Sequence, residues 1–144
     1  MALCREPPPF EHAPTLRIGL ERNSEAPSVA RAAVAGFFEE KEREVDPGTL
    51  STLTLLVSEL VSNAVVHPHA PPSSGILLCV RLLGKNAVRV EVTDQGDGFT
   101  PVSRDPSQRG GGYGLYLLDR QATRWGVDRQ DGTRVWFEMP SRDD

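Results

Sequence analysis

Two strand-like runs, Ile76–Leu83 and Ala87–Asp94, are separated only by Gly84-Lys85-Asn86. A chain that reverses within so short a turn pairs antiparallel, because parallel neighbours need a crossover of roughly a dozen residues or more. The same signal recurs near the end of the chain, where Asp131-Gly132 joins Trp125–Gln130 to Thr133–Met139. Two hairpins exclude a doubly wound parallel sheet. In the run from Ala87, Val88, Val90 and Val92 alternate with Arg89, Glu91 and Thr93. That alternation predicts one covered face and one that is at least partly wet.

The rest of the chain supplies the other layer. Thr15–Leu20 alternates as a short strand does. Ser24–Val45 reads as a helix, with Ser24 as cap, Pro27 in the first turn, and Val29, Ala33, Val34, Phe37 and Phe38 at helical spacing. Asp46-Pro47-Gly48 stops that helix and opens another to about His67, with a stripe of Leu50, Leu53, Leu56 or Val57, Leu60 and Ala64. Pro68–Gly75 is a loop, and Gly114–Ala122 returns to helical spacing. Strand, helix, helix, hairpin, helix, hairpin describes an α+β fold. The expected architecture is a two-layer sandwich, with helices on one face of a mixed, mostly antiparallel sheet.

The 144 residues allow one domain, expected over residues 15–140, with tails at 1–14 and 141–144. Pro7-Pro8-Pro9 marks the first tail as flexible. A net charge of -4 argues against direct nucleic-acid binding driven by phosphate neutralisation. No apolar run approaches the roughly 20 residues that span a bilayer, and the start lacks a signal-peptide core. The expectation is a cytoplasmic protein without a membrane segment. Cys4 and Cys79 share no metal-ligand spacing, and a disulfide between tail and strand is not expected.

Three clusters carry possible chemistry. Glu59, Asn63 and His67 fall on one helix face at intervals of four. A carboxamide oxygen suits magnesium and a carboxylate can accept a proton, yet such a trio also fits a solvated polar stripe. Asp94-Gln95-Gly96-Asp97-Gly98 follows a strand, where the glycines allow close approach of a flat ligand or simply make a turn. Gly110-Gly111-Gly112-Tyr113-Gly114-Leu115 opens a helix, as a phosphate cradle or a hinge would. It is neither a Walker A loop nor a dinucleotide fingerprint.

Taken in order, the clusters resemble a known superfamily. Glu59–His67 is similar to the N box of the Bergerat-fold ATPases, which include gyrase, histidine kinases and MutL. Asp94–Phe99 resembles the first glycine box, Gly110–Leu115 the second, and Asp131–Phe137 the closing Gly-Thr strand. Read as a whole protein, 144 residues leave no room for the further domains of gyrase or MutL. The phrase Leu56–Val65 is close to the stand-alone anti-sigma-factor serine/threonine kinases of bacteria.

That resemblance implies ATP and Mg2+ as cofactors, with Asn63 binding the metal and Glu59 acting as general base on a substrate serine. Asp94 would take the adenine amine, Gly96 and Gly98 would lie against the base, and Thr133 would support it through water. Gly110, Gly112, Gly114 and Leu115 would lie by the phosphates, with His67 at the edge of the site. Thr100–Arg109 would be the ATP lid, whose cations Arg104 and Arg109 are candidates for phosphate contact. The implied partners are a sigma factor, an anti-sigma-factor antagonist protein and a second copy in a homodimer. The alternative is an interaction module that binds ATP without transferring phosphate; a relic that has lost its nucleotide fits the intact glycines poorly.

Overall fold

The computed structural model describes residues 15–40, 45–66, 75–84, 86–94, 113–129 and 132–141. Strand β1 (Thr15–Leu20) leads to helices α1 (Ala26–Glu40) and α2 (Pro47–Val65), and then to hairpin β2 (Ile76–Leu83) and β3 (Ala87–Asp94). Helix α3 (Tyr113–Gln121) and hairpin β4 (Arg124–Arg129) and β5 (Thr133–Pro140) complete the order. The five strands run β1-β2-β3-β5-β4, and all four pairings are antiparallel. The expected two-layer sandwich is thus present, with a sheet that is antiparallel throughout its described strands. Of the expected tails at 1–14 and 141–144, only Ser141 is among the described residues, and it is buried with its N–H donating to the Asn86 carbonyl at 2.8 Å.

Local chemistry explains the element ends. Asn23, rather than Ser24, supplies the side chain at the entry to α1, its Oδ1 accepting the Glu25 N–H at 2.9 Å. Val45 is not helical, so α1 is shorter than its apolar spacing suggested; Val45 packs instead on the core edge. Pro47 opens α2, where its missing N–H costs nothing because that donor would have no partner within the helix. Gly84 has φ 59 and Gly132 φ 107, left-handed values that the two hairpin turns need and that side chains resist.

The covered face of the sheet carries Leu78, Val80, Val90, Val92, Val135 and Phe137. Val34 and Phe37 of α1, Leu53, Leu56, Leu60 and Ala64 of α2, and Leu118 of α3 close over it. The opposite face departs from expectation. Glu91 and Thr93 were expected to be at least partly wet, but both are buried, and so is Arg81 on the neighbouring strand. Pairing accounts for the charges. Arg89 Nε donates to Glu91 Oε2 at 2.8 Å, while Arg81 Nη1 and Arg134 Nη1 each stand 3.8 Å from that carboxylate. Cys79 lies on this same face and is disulfide-bonded, which corrects the expectation that no disulfide would form there; Cys4, the other cysteine, is outside the described residues. Spacing along the chain does not reveal what approaches the outer face of a sheet.

Two expected results follow from this face. Gly126 sits directly opposite Trp136, and a Cβ added at Gly126 would lie 2.8 Å from the indole ring. The ring cannot yield freely, because the guanidinium groups of Arg89 and Arg124 lie 4.2 and 5.7 Å from its centroid. Gly126→Ala should therefore lower unfolding free energy by about 1–3 kcal/mol in a urea titration. An unchanged midpoint would show that the ring moves at no cost.

Glu138 bridges β5 to its neighbours, accepting from Arg124 Nε at 2.8 Å and from Arg89 Nη1 at 2.7 Å. Burial pushes its carboxyl up, but the hydrogen bonds and charges of Arg124 and Arg89 outweigh that and hold it below the usual carboxylate range. A group lowered on folding stabilises the protein above its unfolded value and loses that contribution as pH falls through the folded one. The stability gap between wild type and Glu138→Gln should therefore narrow between neutral pH and about pH 3. A gap that stays constant across that range would exclude the linkage.

Candidate functional site

The site gathers at one end of the sheet. Leu20, Ile76, Asp94 and Thr133 form a row of register partners across β1, β2, β3 and β5. The alternation that aims Val88, Val90 and Val92 at the helices also aims Asp94 there, at the end of the strand. Asp94 is only 1% exposed, and Thr133 is fully buried. A carboxylate and a hydroxyl are thus set side by side on adjacent strands, close enough for one ligand to meet both.

The two groups are not equally satisfied. Thr133 Oγ1 has no hydrogen-bond partner among the described residues, which is unusual for a buried hydroxyl. Asp94 is ion-paired through Oδ1 with Arg22 Nη2, and Arg22 Nη1 donates to the Ala64 carbonyl near the end of α2. The sequence did not single out Arg22. No spacing ties it to Asp94, which lies 72 residues away. A buried carboxylate beside an orphaned hydroxyl fits a flat ligand that offers a donor to the first and a water-bridged acceptor to the second.

Glu59 and Asn63 occupy successive turns of α2, both half-buried. Leu56, Leu60 and Ala64 face the sheet, while Ser58 accepts a hydrogen bond from Arg31 of α1 at 2.7 Å. At 3.6 residues per turn, the Glu59–Asn63 edge lies on the side of α2 away from α1. Among the described residues, no group of three or more His, Cys, Asp or Glu side chains is placed to hold a metal ion. Magnesium bound with a nucleotide needs no such cage, since one or two protein oxygens, waters and phosphates suffice.

Gly114 and Leu115 fall in the first turn of α3; helix N-termini in general suit anions. His67, Gly96, Gly98, the lid Thr100–Arg109 with Arg104 and Arg109, Gly110 and Gly112 lie outside the described residues.

Residues 21–139 match the family described as the histidine kinase-like ATPase domain. The chain belongs to that family. This ATPase domain is 33% identical over 81 residues to the anti-sigma F factor of Lysinibacillus sphaericus, covering 56% of this chain and 54% of that protein. It is 38% identical over 85 residues to the anti-sigma F factor of Pasteuria penetrans, covering 56% of this chain and 53% of that one. The domain spans about half the length of the curated relatives it matches. Among solved structures, the RsbU and RsbW domains of a Mycobacterium tuberculosis protein superpose with a TM-score of 0.67 at 24% identity, over 88% of this chain and 32% of that one. A histidine kinase domain from Erythrobacter litoralis gives 0.54 at 22% identity, over 79% and 60%. At those identities the likeness speaks for the fold.

Proposed function

We propose that the domain binds ATP with magnesium, acts as an anti-sigma factor, and phosphorylates a serine of an antagonist protein to control sigma-factor release. The observation that carries the nucleotide reading is the buried Asp94 beside the unpartnered Thr133 hydroxyl, at the end of the sheet where the polar edge of α2 also ends. The names of the anti-sigma F relatives support the regulatory part.

Each residue then has a separate duty. Asp94 accepts from the adenine amine, and the same carboxylate opposes a guanine carbonyl, acceptor against acceptor. Thr133 reaches the base through water. Asn63 offers its amide oxygen to magnesium, which when bound neutralises phosphate charge. Glu59 takes the proton of the serine hydroxyl as its oxygen attacks the γ-phosphorus, while the bond to the β–γ bridging oxygen breaks and ADP departs. Phosphoryl transfer needs little more than such positioning and charge compensation.

The base assignment has its own test. Asp94→Asn should weaken ATP binding by about 1–3 kcal/mol, the cost of disturbing a buried charged hydrogen bond. A titration of the folded variant that returns wild-type affinity would remove Asp94 from the site. The activity test is to supply ATP and magnesium with the cognate antagonist and to look for phosphoserine. Retained ATP binding with no transfer would replace the kinase by an ATP-binding interaction module. The homodimer and the cytoplasmic setting belong to the same proposal. Light scattering of the isolated chain checks the first, and the redox state of Cys79 in the cell bears on the second, since disulfides are rare in reducing compartments.

A further inference from the structure

We infer that Arg22 is a positioning residue of the nucleotide site, one that holds Asp94 as the acceptor for the base and stays in place while the base binds. The inference rests on the reading of Asp94 as the base-recognising carboxylate. Neither the motifs nor the spacing of the chain mark Arg22, which lies in the turn between β1 and α1.

Three features carry it. Arg22 is nearly as enclosed as the group it pairs with, its side chain 5% exposed against 1% for Asp94. Its guanidinium forks, one nitrogen to Asp94 Oδ1 and the other to the Ala64 carbonyl. Ala64 belongs to the last turn of α2, where a cation is favoured, and its carbonyl accepts from Arg22 as well as from the capping Val66 N–H. The fork therefore ties the end of β3 to the turn of α2 that carries Asn63.

Arg22 follows β1 in the chain, whereas the unpartnered Thr133 hydroxyl belongs to β5, the strand on the other side of β3. Charge decides between a clamp and a plug. An exocyclic amine is neutral, so if it displaced the guanidinium it would leave a buried carboxylate without a countercharge, which is strongly unfavourable. With Arg22 retained, the carboxylate keeps its charge and orientation and presents an acceptor edge to adenine.

The test is a titration of the full chain with ATP and with GTP, for wild type, Arg22→Ala, Arg22→Gln, Arg22→Lys, Asp94→Ala and the Arg22→Ala/Asp94→Ala double variant. Arg22→Ala should weaken ATP about tenfold or more, the size expected when a group that orients a ligating side chain is lost. GTP binding should change little, so the preference for ATP falls; a loss of fold alone would lower both together. Arg22→Lys should recover part of the affinity, and the double variant should bind no worse than Asp94→Ala, because Arg22 acts through that carboxylate. If Arg22→Ala does not fold, Arg22→Gln keeps a polar side chain with an N–H donor but no charge and should show the same fall in preference. Wild-type or tighter ATP binding by folded Arg22→Ala or Arg22→Gln, with Asp94→Ala weakened, would overturn the clamp and leave the base site standing. Wild-type ATP binding by Asp94→Ala would overturn both.

Discussion

Replacing Glu59 by alanine is expected to leave ATP binding intact and to cut phosphoryl transfer to the antagonist serine by about 10²–10⁴-fold. The reason is the division of labour along one edge of α2. Glu59 and Asn63 are one turn apart and both partly buried, so their expected difference lies in chemistry. A carboxylate at position 59 contributes when the serine proton leaves, a moment that nucleotide binding does not involve. Asn63→Ala should do the reverse at the first step, weakening ATP and making its binding less dependent on magnesium, since an amide oxygen is a metal ligand and a methyl group is not. Neither residue is fully buried, so both variants should fold. Affinity and phosphoserine are measured in parallel on each. Transfer at the wild-type rate by Glu59→Ala would end the general-base assignment. Loss of ATP binding in that variant would place Glu59 with the metal ligands instead.

Phe137→Ala should lower the free energy of unfolding by about 3–5 kcal/mol, the usual cost of emptying an aromatic site in a tight core. Phe137 is wholly buried on β5, between Val90 of β3 and Trp125 of β4 in the register. It thus fills the place where the last hairpin joins the rest of the sheet. Typical domains have only about 5–15 kcal/mol to lose, so this one change should bring the protein close to its threshold. Urea unfolding measures it, with Val29→Ala, half exposed on α1, as a change that should cost much less. A loss below about 1 kcal/mol at Phe137 would mean that the surrounding core collapses into the space.

Most of the framework is legible in the residues, for reasons that differ by element. Ile76–Leu83, Ala87–Asp94 and Thr15–Leu20 occur where period-two alternation and a short turn predict them, because those signals are local and the backbone obeys them locally. The stripe of α2 is recovered with Val61 and Thr49 added and Leu50 only partly buried at its edge. The errors are of another kind. α1 ends before Val45, since where a helix stops depends on what the next segment packs against. Thr93 and Glu91 are buried despite their polarity, and arginines from three strands compensate the Glu91 carboxylate.

The candidate site divides in the same way. Glu59 with Asn63, Asp94 and Thr133 are each marked by motif and spacing, and the register of the sheet sets Asp94 opposite Thr133. Which groups they meet is not written in any local pattern.

By itself the sequence determined the alternation of strands and helices, the antiparallel hairpins and the family, because each follows from residues close together in the chain. Tertiary structure alone decided that Arg22 links Asp94 to the Ala64 carbonyl, that Thr133 keeps an unpartnered hydroxyl, and that charged residues are buried on the outer face of the sheet. Those are contacts between positions tens of residues apart, and only the packing of the layers, which sets what each buried polar group can reach, brings them within hydrogen-bonding distance.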